Sequence, residues 1–409
     1  MHISTRLILG GSQENTVLSC EGQLARGHDV ALVYGPIYGP EGSMLERVQN
    51  FRSPDGRAIE LIETPRLVRQ LSLWKDHFAQ RDLRTIIRDW HPDVVHTHSS
   101  KAGVLGRMAA WREHVPAIVH TIHGLPFHPY QSGVLNAIYI AAERYAARRC
   151  HRIVCVADAM RVQALAAGVG RPEQYHIVYS GMEIESFLNP AWSRREVRAE
   201  LGLEDDAFVI GTVARLAELK GHDDLIDALA PMMRSDARLR MLWVGDGWWR
   251  DRLVSRLDEA GIREQVILPG LVPPQEVPKY LQAMDVLVHP SYREGLPRTA
   301  PQALLSATPL IAYDVDGTRE VCIDFETGRL IEPGNRDDLA AAVRWMIEHP
   351  QERQATAERG RALCKSRFAV AVMVDQLEKV YAACRAEDSH NDDIDRDESA
   401  ARQQRDRAE

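Results

Sequence analysis

At 409 residues the chain exceeds what one hydrophobic core usually organises, so two domains of roughly 150–200 residues each are expected. Residues are 45% hydrophobic and 26% charged, and no apolar run approaches the roughly 18 residues of a membrane span, which excludes a spanning helix. The formal charge of −8 excludes a general nucleic-acid binder.

The start, MHISTRLILGG, has too short an apolar stretch for a signal peptide. Six cysteines without a C-x-x-C pair suit reduced, buried thiols in a cytoplasm. From Glu387 onward nine acids face four arginines, with one Ile and no aromatic residue, so the tail over 386–409 is expected to be disordered.

Short apolar runs alternate with helical spacing through the first half. They predict strands at Leu7–Leu9, Val30–Val33, Ile59–Ile62, Val94–His96, Ile118–Thr121, Ile153–Val156 and Ile177–Tyr179. The pattern restarts at Phe208–Val213 and continues through Met241–Val244, Val266–Leu268, Val286–His289 and Leu310–Ala312. Alternation of this kind means parallel sheets covered by helices, so an α/β fold of two doubly wound Rossmann-like domains is expected. The join falls in the turn-rich, aperiodic stretch Ser180–Arg194.

Polar and glycine residues gather where strands end. Gly10-Gly11 opens a helix and allows close backbone approach to a ligand, although Gly-Gly is as readily a plain tight turn. The stretch Arg66–Trp90 mixes basic residues with Leu71, Trp74 and Phe78; it reads as a helix packed on the sheet, with an anionic membrane surface as the alternative. His96 and His98 share one face of a strand, a spacing that can bind metal, but no nearby Cys or Asp completes a set; contact with substrate is the better reading for His98, Lys101 and the His123-Gly124 loop.

In the second half, Arg215 and Lys220 bracket a loop at a helix entrance, an arrangement suited to a diphosphate leaving group. Gly245-Asp246-Gly247 reads as a structural turn. The stretch SYREGLPRTAPQALL turns at Glu294–Pro297 and enters a helix expected from Arg298 to Ser306, with Pro297 at its first position. The next loop holds Asp314-Val315-Asp316, which spells an Asp-x-Asp metal motif.

Taken in order, the Gly10-Gly11 loop, HTHSSKAGVLGR, His123-Gly124, VARLAELKGHDDLIDA, VGDG, VILPGLVP and SYREGLPRTAPQAL resemble the retaining nucleotide-sugar glycosyltransferases of family 4. The resemblance runs to about Arg385. It implies a GT-B fold, with two Rossmann-like domains facing across a cleft: an acceptor domain over 1–184, a donor domain over 185–366, and a C-terminal helix over 367–385 crossing back to the first.

By the same resemblance Arg215, Lys220, Glu294 and His123 are the catalytic set. Arg215 and Lys220 would hold the donor diphosphate and Glu294 the sugar hydroxyls. Gly11, Gly270, Leu271, Gly295, Leu296 and Gln302 would bind donor, while Gly10, His98 and Lys101 lie on the acceptor side. The family pattern has a glutamate where Gln302 stands; a glutamine carbonyl can still accept from ribose hydroxyls, without charge.

A nucleoside diphosphate sugar is expected as co-substrate, with no metal and no other cofactor. The expected acceptor is a glycan or lipid-linked hydroxyl in bacterial cell-surface polysaccharide synthesis. The protein would be cytoplasmic, peripheral to the inner face of the plasma membrane, with no nucleic-acid partner. A non-catalytic donor-binding partner of an active transferase, motivated by Gln302, and a sugar-nucleotide epimerase are the alternatives.

Overall fold

The computed structural model describes residues 1–38 and 42–384. The acidic tail therefore lies outside the described residues. Two compact units divide the chain: Met1–Gly181 with the segment from Val370 on, and Met182–Ala369.

The first unit carries strands β1 (His2–Ser4), β2 (Ala31–Tyr34), β3 (Glu60–Glu63), β4 (Val94–His98), β5 (Ala117–Ile122), β6 (Arg152–Cys155) and β7 (Tyr175–Ile177). All pair in parallel in the order β3-β2-β1-β4-β5-β6-β7. The second carries β8 (Phe208–Val213), β9 (Leu239–Val244), β10 (Val266–Gly270), β11 (Val286–His289), β12 (Leu310–Tyr313) and β13 (Arg329–Ile331), again parallel, ordered β10-β9-β8-β11-β12-β13. Strands buried on both faces become near-continuous apolar runs, which is why β11 and β12 match their expected positions closely.

Three expectations change. The first strand is His2–Ser4, not Leu7–Leu9. Leu7 is instead wholly buried in a loop and packs with Val17, Cys20, Leu24 and Leu32, while Ile8 forms a lone antiparallel bridge to Ser43. Strand β13 was not expected, since a run of three residues starting with Arg carries little pattern. The helix after β11 spans Thr299–Leu305, so Pro297 stands outside it and Pro301 occupies its first turn, where a missing N–H costs nothing.

The helix Leu73–Trp90 buries Ala79, Leu83 and Ile87, as a packing face requires, yet leaves Leu71 and Trp74 at 69% and 77% exposure around its start. A final helix over 370–384 belongs to the first unit. It buries Met373, Val374, Leu377, Val380 and Tyr381 against Leu18, Ala117, Val119, Val154 and Val178. Each such side chain contributes about 1.5–3 kcal/mol through removal from water, enough to hold the helix on the sheet. All six cysteines are buried free thiols.

Candidate active site

In each sheet the strand order reverses once, between β1 and β4 in the first unit and between β8 and β11 in the second. Loops leaving the carboxyl ends of those two strands diverge to opposite faces and open a crevice, the usual ligand position of doubly wound sheets. Most of the sequence-predicted residues lie in loops at the carboxyl ends of these strands or their neighbours.

In the second unit, the loop after β8 carries Arg215 and Lys220 and the loop after β11 carries Glu294. Lys220 Nζ donates to Glu294 Oε1 at 2.6 Å, and His289 Nε2, on the last residue of β11, lies 3.1 Å from the same oxygen. The Glu294 amide donates to Asp316 Oδ2 at 2.8 Å. Burial pushes the Glu294 carboxyl up, but the Lys220 ammonium and the His289 hydrogen bond outweigh it and hold the group well below the usual carboxylate range. Glu294 is therefore an acceptor-only anion whose orientation is set from two sides.

Backbone contacts lock the two loops. Leu219 O accepts from Tyr292 N at 2.8 Å and from Ser291 Oγ at 3.1 Å. Gly221 has φ +73°, and a Cβ there would meet Pro290 O at 2.0 Å, so only glycine permits Lys220 this approach to the β11 loop. The Gly245–Gly247 turn braces the Arg215 loop: a Cβ at Gly245 would sit 2.1 Å from Ala214 O, and one at Gly247 2.2 Å from Leu216 O.

Arg215 lies with its guanidinium 5.7 Å from the ring of Trp248, which is 67% exposed. Gly270 ends β10 with φ +85°, its carbonyl accepting from Gly245 N at 2.9 Å, and Leu271 beyond it is exposed. Leu296 is buried, and Gly295 O accepts from Gly317 N at 3.1 Å. Gln302 sits half-buried on the helix Thr299–Leu305. The Asp-x-Asp groups have other work: Asp314 is paired bidentately with Arg319 at 2.9 and 2.8 Å, and Asp316 holds the Glu294 amide.

In the first unit, Gly10 and Gly11 stand exposed at the start of the helix Gly11–Ala25. Register places His2 beside His96 across β1 and β4. His2 Nδ1 lies 2.9 Å from His98 Nε2, and His98 Nδ1 lies 3.2 Å from His123 Nε2, in the loop after β5. Lys101 is placed otherwise: its ammonium pairs with Asp76 and donates to the Gln70 carbonyl, so its charge is committed to the neighbouring helix rather than offered to an acceptor.

The third histidine missing from the sequence reading is His2. Ring nitrogens of His2, His96 and His98 lie within 4.8 Å of one another, close enough for a metal set. Their chemistry argues for a hydrogen-bonded chain instead. His96 Nδ1 meets Tyr381 OH at 2.6 Å and His96 Nε2 meets Thr121 Oγ1 at 2.7 Å; His2 Nε2 meets Gln23 Oε1 at 2.8 Å. Burial, then neighbouring positive charge, lowers the pKa of His2 to about 3 and takes His96 and His98 well below the ordinary value, so all three rings are neutral at pH 7.

Sequence reasoning missed His2, His289 and Tyr381, and named Asp316 only within an Asp-x-Asp motif rather than as the holder of the Glu294 amide. His289 and Asp316 lay within the stretch already singled out, at a strand end and a loop; nothing local marked His2 or Tyr381.

Comparison with known proteins places the chain in a family. The family model described as Glycosyltransferase Family 4 matches residues 9–186, and Glycosyl transferases group 1 matches residues 193–363. A D-inositol 3-phosphate glycosyltransferase of Geodermatophilus obscurus is 31% identical over 73% of this chain and 68% of its own length. A UDP-Gal:alpha-D-GlcNAc-diphosphoundecaprenol alpha-1,3-galactosyltransferase of Escherichia coli is 28% identical over 68% of this chain and 72% of its own. Anabaena HepE, solved in complex with UDP, superposes with a TM-score of 0.78 at 21% identity, covering 93% of this chain and 99% of that one. Sequence and fold together establish that the chain belongs to glycosyltransferase family 4, glycosyl transferases group 1, and is a glycosyltransferase with the GT-B fold.

Proposed function

We propose that this glycosyltransferase moves a sugar from a nucleoside diphosphate donor to an acceptor hydroxyl with retention of anomeric configuration and without a metal ion. The observation that carries the reading is the Lys220–Glu294 pair at the strand reversal of the second unit. Lys220 and Arg215 supply the positive charge that a departing diphosphate needs, and Glu294 supplies a fixed acceptor for sugar hydroxyls. The commitment of Asp314 to Arg319 supports metal-free chemistry.

In this reaction the bond from C1 of the sugar to the diphosphate oxygen breaks with its electrons going to phosphate. The new bond from C1 to the acceptor oxygen forms on the same face, through an oxocarbenium-like transition state. The hydroxyl proton passes to the departing phosphate oxygen. In this reading donor binding belongs to Gly270, Leu271, Gly295, Leu296 and Gln302 of the second unit and to Gly11 of the first, and acceptor binding to Gly10, His98 and His123 of the first unit.

A nucleotide sugar is supported by the HepE structures, solved with UDP and with UDP-glucose. A cell-surface or lipid-linked glycan is supported by the names of relatives, among them the E. coli diphosphoundecaprenol enzyme and a capsular polysaccharide glycosyltransferase, CapM, of Staphylococcus aureus. No described helix is long and apolar enough to cross a membrane. Leu71 and Trp74 beside Lys75, and separately Val134 and Ile138 at 76% and 55% exposure on the helix Gly133–Ala147, are exposed apolar side chains of the kind suited to a lipid headgroup layer. The proposed site of action is accordingly the cytoplasmic face of the membrane.

The test incubates the protein with a panel of nucleotide sugars in chelator and follows released nucleoside diphosphate and the anomeric signal of the product. Release with retained configuration supports the reading. Inversion, or activity only with added metal, overturns that part of it. Binding without release, even with membrane-extract acceptors, would instead favour a non-catalytic donor-binding subunit.

A further inference from the structure

Behind His123 runs an unbroken line of hydrogen bonds into the core of the first unit. His123 Nε2 meets His98 Nδ1 at 3.2 Å, His98 Nε2 meets His2 Nδ1 at 2.9 Å, and His2 Nε2 meets Gln23 Oε1 at 2.8 Å. Gln23 Nε2 continues to Tyr381 OH at 3.0 Å, and that hydroxyl to His96 Nδ1 at 2.6 Å. The contributors come from β1, the helix Gly11–Ala25, β4, the loop after β5 and the closing helix over 370–384.

A neutral imidazole has one N–H and one lone pair, so each ring in such a line must donate on one side and accept on the other. Proton positions along the line are thus not independent. Gln23 is the one member whose two ends differ chemically, a carbonyl that only accepts and an amide that only donates. With its carbonyl toward His2, that ring carries its proton on Nε2 and accepts at Nδ1 from His98 Nε2–H. His98 then accepts at Nδ1 from His123 Nε2–H. Turning the Gln23 amide over would invert every proton in the line.

We propose that Gln23, acting through His2 and His98, is a positioning residue that fixes the tautomer of His123, holding its proton on Nε2 and making Nδ1 the hydrogen-bond acceptor. A hydroxyl of the acceptor or of the transferred sugar is the class of group that such a nitrogen orients. That consequence for transfer rests on the function proposed above; the tautomer does not. Burial of His2 and His98, at 2% and 1% exposure, keeps water from breaking the line and, with the charges around it, keeps the rings neutral.

Nitrogen-15 NMR of protein labelled at histidine reads the tautomer of each ring directly, with His123 assigned by the signal lost in His123→Asn. The wild type should show Nε2 protonated and Nδ1 unprotonated at His123, His98 and His2 alike. Gln23→Glu offers acceptors to both neighbours: His2, His98 and His123 should keep their tautomers while His96 moves its proton to Nδ1, and kcat should stay close to wild type. Gln23→Leu removes the acceptor, so His123 should become a mixture of tautomers, with kcat lowered about five- to tenfold and donor KM unchanged, the effect of one lost net hydrogen bond.

A wild-type His123 protonated at Nδ1 overturns the proposal without any variant, as does a His123 tautomer indifferent to Gln23→Leu. Should the tautomers behave as expected while no donor is turned over, the relay stands and the transfer reading falls. Turnover with tautomers that ignore Gln23 defeats the relay alone.

Discussion

The two strand reversals solve the same problem with opposite electrostatics. In the second unit a carboxylate is brought into a partly buried crevice and kept ionised, because Lys220 and His289 meet it there. In the first unit histidines are brought into the core and kept neutral, because burial and neighbouring positive charge both disfavour their protonated form. Charge suits the stabilisation of an anion; neutral, directional hydrogen bonds suit the orientation of a hydroxyl.

Acid should separate the two most sharply. His2, His96, His98 and His120 all have lowered folded-state pKa values, so the unfolded chain binds protons that the folded one does not. Their contribution is complete above the unfolded value near 6.5 and is lost as pH falls from there, for His2 toward about 3. Each histidine costs up to about 1.4 kcal/mol per pH unit while it stays unprotonated in the folded state, so the first unit should lose stability steadily as pH falls below about 6.5. Glu294 has the same sign with a lower window: its contribution persists until pH falls below the ordinary carboxylate value. Calorimetry from pH 7.5 to 4.5, with limited proteolysis to identify the cleaved unit, should show the first unit opening first. Simultaneous opening would remove the contrast.

Lys220→Ala should lower turnover by about 100- to 1,000-fold, the usual loss for one preorganised contact to developing charge, with the circular dichroism spectrum unchanged. Near-normal turnover would take from Lys220 the role proposed here. Gly221→Ala should cost about 1–3 kcal/mol in urea unfolding, because φ +73° and the Pro290 carbonyl both oppose a Cβ. It should also raise donor KM by displacing Lys220. The smallest effect belongs to Gln302→Glu: if ribose hydroxyls are held there, a charged acceptor should tighten donor binding about fivefold by calorimetric titration. An unchanged affinity would move the ribose contact elsewhere.

Much of this arrangement was readable along the chain. Alternating apolar runs foretold two parallel sheets, since a strand buried on both faces must be apolar almost throughout. Lys220, Glu294, His98 and His123 were identifiable because a doubly wound fold puts ligand residues where strands end. The first strand escaped because His2 and Ser4 are polar, yet both are buried; His2 is satisfied by His98, 96 positions along the chain, and Ser4 donates to the nearby Arg6 carbonyl. Lys101 could not be told from a substrate contact until Asp76 was seen to hold it.

Local periodicity and turn chemistry, being properties of neighbouring residues, are written into the sequence. It therefore determined the fold class, the succession of most strands and the loops that carry chemistry. Pairing between distant residues is not written there. Lys220 meets Glu294 across 74 positions and His96 meets Tyr381 across 285, and only tertiary packing chose those partners. The charge state of Glu294, the neutrality of the histidines and the direction of the relay from Gln23 follow from burial and partner choice, which no segment specifies alone.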